Sequence, residues 1–328
     1  MPETVGKPRL LVLRPGAIGD TILTLPALSA LRRSFPDAAL IVAGNPAALP
    51  LVEAADLLDA WVSFDDARVT RLFVPGPPQP SDPFTNVTTA VAWCADPDGV
   101  LRSGLQARGA QQVVIAPSRP RGPESIHVAC HLLRTVADLV PGAGMSDDET
   151  LPTIVPPVWA VEQADTLLRT SGLDGRPFVV VHPGSGSPRK NWPADRFAAV
   201  ARRLRERLGL PVIVLGGPAD AEVLQRLDGL LPDSTPLLTD LPLLVVAALL
   251  QRARGFLGND SGLGHLSGAL GIPTLVLFGP TDPVLWQPLG PRVRVLRSEP
   301  LEALALDAVV AGLEALMAMP DGNTSVRW

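Results

Sequence analysis

The sequence predicts an α/β fold in two domains, each a parallel sheet covered on both faces by helices. Three observations lead there. Short continuous apolar runs alternate with stretches whose apolar residues return every three or four positions, the pattern of strands buried beneath helices. The same alternation occurs twice, on either side of a Pro- and Gly-rich break at 141–158. A length of 328 residues suits two domains, and 46% hydrophobic residues is enough for two cores.

In the first half the strands are "RLLVLR" (9–14), "ALIVAG" (39–44), "WVSF" (61–64), "VTTAVAWC" (87–94) and "QQVVIA" (111–116). Helical periodicity fills "LPALSALRRSF", "DGVLRSGLQARG" and "IHVACHLLRTVADLV". The stretch "VPGPPQPSDP" (74–83) is too proline-rich for regular structure and reads as a loop. A linker is expected near 152–176, with "WAVEQADTLLRTSG" a helix in or beside it. The second half has strands at 178–181, 211–216, 255–258, 274–279 and 292–296, and a helix striped by Phe197, Val200, Ala201, Leu204 and Leu208. A last helix spans 301–319, and the polar tail 320–328 reads as frayed. The domains are drawn at 1–160 and 161–328, as twin doubly wound sheets facing a cleft. Ligands of such sheets gather at the carboxyl ends of the strands.

Composition excludes several classes. A net charge of −5 argues against coating nucleic acid, so no nucleic-acid partner is expected. Cys94 and Cys130 lie far apart with no metal-ligand spacing, and read as buried thiols in a reducing compartment. The N-terminal apolar run ends at Arg14, which does not fit a signal peptide, and "LPLLVVAALL" (241–250) is too short to span a bilayer. A cytoplasmic protein is expected.

Three loops carry chemistry, each where a strand ends. In "RPGAIGD" (14–20), Gly16 and Gly19 permit a turn or the close approach of another backbone, and Asp20 can cap the next helix. That helix either starts near Pro26 or begins at Thr21 and bends. The spacing is not the dinucleotide fingerprint GxGxxG. In "HPGSGSPRKNWP" (182–193), amides of Gly184, Ser185 and Gly186 could form an anion-binding nest, with Ser185 and Ser187 adding hydroxyls and Arg189 or Lys190 charge. A solvated cationic turn, with His182 a core histidine, is the bland alternative. In "GNDSGLGHLSGALG" (258–271), Asp260 or Ser261 can cap a helix with Gly264 and His265 in its first turn. Five glycines in fourteen residues are costly for a plain helix, which favours a ligand over packing there.

These stretches, with "PVIVLGGP" and "IPTLVLFGPTDP", resemble the ADP-heptose:lipopolysaccharide heptosyltransferases, glycosyltransferase family 9, over nearly the whole chain. The resemblance implies the GT-B architecture of two Rossmann-like domains, acceptor on the first and nucleotide sugar on the second, with a final helix that commonly crosses back to the first. It implies inverting, metal-independent transfer of a sugar, heptose by default, from a nucleotide diphosphate sugar such as ADP-heptose to a lipopolysaccharide or other envelope glycan or glycolipid, with no cofactor. Asp20 would be catalytic. Lys190, Ser185, Gly186, Ser187, Asp260, Ser261, Gly262 and His265 would hold the donor, with Asp260 facing its sugar and Ser261, Gly262 and His265 its diphosphate. Where family members often place a ribose-binding glutamate, Pro218 stands nearest, leaving Asp220 or Glu222 as substitutes. "TTAVAWCADPDG" replaces the family's usual "DLVIDLHG" stretch in the acceptor domain. Gly19, Arg119 and Arg121 are the acceptor-side candidates; "APSRPRG" with His127 and His131 could flank an anionic acceptor, or could as easily cap and solvate a helix. Because the acceptors of its relatives are membrane-anchored, peripheral attachment at the inner face of the cytoplasmic membrane is expected. Two competing readings are a nucleotide-sugar epimerase, which needs no acceptor, and a non-catalytic nucleotide-sugar-binding protein.

Overall fold

The computed structural model describes residues 7–78, 82–121, 126–142 and 151–319. The chain divides into two compact units, Met1–Ser146 and Asp147–Trp328. The acidic stretch "MSDDET" and the tail 320–328 lie outside the described residues, as does part of the proline-rich loop at 74–83.

The first unit is a five-stranded sheet of β1 (Arg9–Arg14), β2 (Ala39–Gly44), β3 (Ala60–Ser63), β4 (Val87–Ala92) and β5 (Gln112–Ile115). All pairs are parallel, in the order β3-β2-β1-β4-β5. β1 and β2 are buried along nearly their full lengths, as continuous apolar runs require. Leu11, Leu13, Ile41, Ala90 and Leu101 meet in the core on one face. Trp93, fully buried, donates its indole N–H to Thr135 Oγ1 at 2.8 Å. The helix Val128–Thr135 that carries Thr135 stops earlier than the periodicity of 126–140 suggests. Arg108 and Asp82, each only 3% exposed, form an ion pair at 2.7 Å. Asp82 also accepts the Phe84 amide, so neither buried charge lacks partners.

The second unit is a six-stranded parallel sheet of β6 (Val179–His182), β7 (Val212–Gly216), β8 (Leu237–Thr239), β9 (Gly255–Asn259), β10 (Thr274–Phe278) and β11 (Val293–Arg297). Its order is β11-β10-β9-β6-β7-β8. β8 is absent from the sequence reading. It is a three-residue edge strand, half exposed and close to Pro236, so it lacks the apolar run of a central strand. The helix Ala194–Leu208 buries Phe197, Val200, Ala201 and Leu204 against the sheet, but Leu208 is 45% exposed and does not join that face. Trp192 and Phe197 pack edge to face with ring centroids 5.3 Å apart, a contact worth about 0.5–1.5 kcal/mol beyond burial.

The helix Val158–Thr170 of the expected linker lies inside the second unit and packs on the helix Leu243–Arg252. The helix expected over 301–319 begins at Leu306, after a short turn at Leu301–Ala303. It packs on β9, β10, β11 and the helix Ala194–Leu208, with Val309, Val310, Leu313 and Met317 in the core of its own unit. Among the described residues, no helix is long and apolar enough to cross a membrane.

Both sheets run outward in two directions from a central pair, β1 and β4 in the first and β6 and β9 in the second. Such a switch point leaves a crevice at the carboxyl ends, because the flanking connections depart to opposite faces. "RPGAIGD" leaves β1, "HPGSGSPRKNWP" leaves β6 and "NDSG" leaves β9. All three chemistry-bearing loops therefore sit at switch points.

Candidate functional site

In the first unit, β1 ends at Arg14 and a five-residue helix, Ile18–Ile22, begins after Ala17. Asp20 is not its N-cap residue. It occupies the third helical position and reaches back, its Oδ2 accepting the Ala17 amide at 2.9 Å. Its Oδ1 accepts from Arg14 Nη2 at 3.0 Å. Arg14 is 3% exposed and also donates to Thr24 Oγ1 and the Pro15 carbonyl. Burial pulls the Arg14 guanidinium below its usual pKa, against the attraction of Asp20. The turn depends on Gly16, whose φ is +144° and whose Cβ would lie 2.8 Å from Asp20 Cβ and Oδ2. Gly19 lies buried within the short helix. The helix breaks at 23–24, and Pro26 stands in the first turn of the next, Leu25–Ser34, where its missing N–H costs nothing.

A carboxylate offers about four lone-pair sites. Two on Asp20 are taken by Arg14 and Ala17, and the side chain is 26% exposed, so it can still accept a proton from a ligand hydroxyl.

Of the other first-unit candidates, Arg119 and Arg121 are exposed after β5. His127 caps the helix Val128–Thr135, its Nδ1 accepting the Ala129 amide, and His131 Nε2 bonds the Pro117 carbonyl at 2.8 Å. Both histidines are thus engaged structurally. Burial, with Asp96, pushes the Cys94 thiol up to about 11, and burial also raises that of Cys130 against the pull of Arg134.

In the second unit, Lys190 and Asp260 meet: Lys190 Nζ lies 3.0 Å from Asp260 Oδ2, which also accepts from Thr281 Oγ1 at 2.8 Å. Ser261 is the N-cap residue of the helix Gly262–Ala269, yet its hydroxyl makes no cap bond. It lies instead 3.0 Å from His182 Nδ1, and His182 Nε2 lies 3.1 Å from Asp220 Oδ2. The ring is turned opposite to hydrolytic triads, where serine faces Nε2 and the acid Nδ1. Gly262 opens the helix, and His265 is buried in its first turn, with its amide bonded to the Ser261 carbonyl.

Asp220 is buried and also accepts the Gly217 amide at 2.8 Å. Burial opposes its charge, but His182 and that amide outweigh burial and hold the carboxyl below its usual range. Both polar partners of Asp220 are therefore internal. Glu222 is exposed and pairs with Arg226 one turn on. It lines a 250 Å³ cavity together with Ser185, Asn191, Trp192 and Arg226.

The expected nest at 184–186 does not form, because neither Gly184 nor Gly186 adopts positive φ. Gly184 is needed for another reason: a Cβ there would fall 1.8 Å from Asp220 Oδ1. Ser185 is buried, directing its hydroxyl to the Ser187 carbonyl and Asn191 Oδ1 and accepting the Ser187 amide. Its hydroxyl shapes the loop. Gly186 is exposed and Ser187 half-buried. The glycines of 258–271 are likewise largely packing residues. A Cβ at Gly268 would lie 2.6 Å from the Leu289 carbonyl, one at Gly258 2.8 Å from the Phe256 ring, and one at Gly264 3.3 Å from Val276.

Asn259 was missed from sequence. Fully buried at the end of β9, it accepts the Trp192 amide and donates to the Pro183 carbonyl, fastening the loop after β6 to β9. An asparagine ending an otherwise apolar strand was the available signal. Among the described residues, no group of three or more His, Cys, Asp or Glu is placed to hold a metal ion.

A family model for glycosyltransferase family 9 (heptosyltransferase) matches residues 127–307, more than half of the chain. Lipopolysaccharide heptosyltransferase 1 of Pseudomonas aeruginosa is 38% identical over 109 residues, covering 33% of this chain and 30% of that protein. The chain thus matches less than a third of that relative's length. Lipopolysaccharide heptosyltransferase 3 of Escherichia coli is 23% identical over 297 residues, covering 82% and 83% of the two chains. Among solved structures, E. coli ADP-heptose lipopolysaccharide heptosyltransferase II superposes with a TM-score of 0.75 at 18% identity, covering 94% of this chain and 98% of that one. That likeness extends over both sheets and agrees with the fold class expected of GT-B proteins, two Rossmann-like α/β domains. With the matched segment running from the helix at Val128 through the switch-point loops of the second sheet, the chain belongs to glycosyltransferase family 9, the heptosyltransferase family.

Proposed function

We propose that the chain transfers heptose from ADP-heptose to a lipopolysaccharide or other envelope glycan acceptor, with inversion and without a divalent metal. The observation that carries this reading is the convergence of Lys190, Asp260, Ser261 and the start of the helix Gly262–Ala269 at the second sheet's switch point. The first amides of that helix have no intrahelical partner and attract anionic oxygens. Lys190 directs one N–H to Asp260, leaving two for diphosphate oxygens. Together these groups would balance the charge that builds on the leaving diphosphate. In the first unit, Asp20 would accept the proton of the acceptor hydroxyl as the new glycosidic bond forms. Arg14 and the Ala17 amide hold its carboxylate in place for that step. Exposed Arg119 and Arg121 would draw the first unit to anionic lipid or glycan, each adding about 1 kcal/mol near such a surface.

The test is incubation of the purified protein with ADP-heptose and a membrane glycan acceptor, with and without chelator, reading product mass and anomeric configuration. Acceptor-dependent, chelator-resistant transfer with inversion is expected. Sugar turnover without acceptor would make it an epimerase, and binding with no turnover on any acceptor would leave a binding protein.

A further inference from the structure

This inference rests on the proposed placement of a nucleotide diphosphate against Ser261. The Ser261 hydroxyl has one proton, and the chain behind it decides where that proton points. An ionised Asp220 only accepts, so the His182 nitrogen facing it, Nε2, must carry a hydrogen. When His182 is neutral, Nδ1 is therefore bare and accepts, and Ser261 donates its only proton inward at 3.0 Å. The hydroxyl then turns lone pairs toward the site and repels a phosphate oxygen. When His182 is protonated, Nδ1 donates to Ser261 Oγ instead, and the hydroxyl proton is released toward the ligand. Asp220 has little freedom to turn aside, because it also holds the Gly217 amide and crowds Gly184.

We propose that His182 is a positioning residue whose protonation converts Ser261 from acceptor to donor, so that binding of the diphosphate takes up a proton. Asp220, after β7, faces Nε2 at 3.1 Å. Lys190, after β6, and Asp260, after β9, largely compensate each other as an ion pair. His265 lies buried in the first turn of the helix that Ser261 begins. The incoming diphosphate adds negative charge in front of Ser261, which tips the balance toward protonated His182.

The experiment is calorimetric titration of the full chain with ADP-heptose, and then UDP- and GDP-sugars, between pH 6 and 9 in buffers of different ionisation enthalpy. A diphosphate diester does not itself titrate in that range, so proton uptake reports the protein. Uptake should rise with pH toward one, and affinity should fall by up to about tenfold per pH unit, the limit for one linked proton. H182Q should bind more weakly, with no uptake and a flat pH profile. Imidazole ¹⁵N shifts should show neutral His182 as the Nε2–H tautomer without ligand and doubly protonated with it. An Nδ1–H tautomer, binding without uptake, or uptake unchanged in H182Q (which would assign it to His265) would each overturn the proposal. If H182Q does not fold, wild-type uptake and tautomer still decide. Absence of any nucleotide-sugar binding would instead remove the proposed function, and this inference with it.

Discussion

At the scale of the residue, Asp20 carries the sharpest consequence. Its carboxylate both balances buried Arg14 and, in the proposed reaction, accepts the acceptor's proton. Asp20→Asn keeps the size but loses the charge, and the NH₂ that replaces one carboxylate oxygen only donates, so one of the two donors, Arg14 or the Ala17 amide, loses its acceptor. Stability should fall by about 1–3 kcal/mol, more than a simple cap exchange would cost. Turnover at a temperature where the variant is folded should fall on the order of 10²–10⁴-fold, with ADP-heptose affinity little changed. Near-normal kcat in a folded variant would reduce Asp20 to a structural partner of Arg14. For Lys190→Ala, loss of a charged hydrogen bond worth about 1.5–3 kcal/mol should weaken donor binding roughly tenfold or more, while thermal stability moves less. Equal donor Kd for wild type and variant would sink the role given to Lys190. The residue pattern placed both in loops that follow a strand, while the roles tested here were implied by the resemblance to glycosyltransferase family 9. The partners Arg14 and Thr281 were not legible, because both are separated from the groups they hold by turns whose course the sequence leaves open.

At the scale of the element, the loop after β6 is held from outside itself. Asn259 on β9 binds both ends of 183–192, and Gly184 makes room for Asp220 from the loop after β7. Asn259→Ala would leave the buried Trp192 amide and Pro183 carbonyl without these partners. It should cost about 1–3 kcal/mol, and hydrogen exchange should accelerate in 183–192 more than in the helix Leu306–Ala318. Uniform exchange across the unit would mean that the loop holds itself. Gly184→Ala should also destabilise, by about 1–3 kcal/mol of overpacking, seen as a lowered Tm, since the new methyl must displace a hydrogen-bonded carboxylate. The long helices were legible from period, because their buried face repeats. β8 was not, since an exposed edge strand needs no apolar face.

At the scale of the whole molecule, acid should act partly through the second unit. The Asp220 carboxyl is held below 3.8, so it binds its proton less readily folded than unfolded. The stability it contributes is present above that unfolded value and is lost as pH falls through the folded one. Asp220→Asn should therefore flatten the fall of Tm between about pH 5 and 3. An acid limb identical to wild type would show that other carboxylates set it. The burial that raises the Cys94 thiol to about 11 predicts slow alkylation at pH 8 until the chain unfolds.

By itself the sequence determined the class: two parallel sheets, ten of the eleven strands among the described residues, and three polar, glycine-bearing loops at strand ends. It could do so because buried strands and amphipathic helices leave periodic apolar marks, and because glycine and proline mark the turns between them. Tertiary structure alone decided what the polar residues do. Ser261 turns away from its own helix to His182, 79 positions earlier, and Asp220 turns inward to the same ring rather than outward. Ser185 closes its own loop, and Gly258, Gly264 and Gly268 admit neighbouring side chains and backbone. A hydrogen bond is satisfied by whichever partner the fold brings within about 3 Å, and separation along the chain carries no trace of that choice.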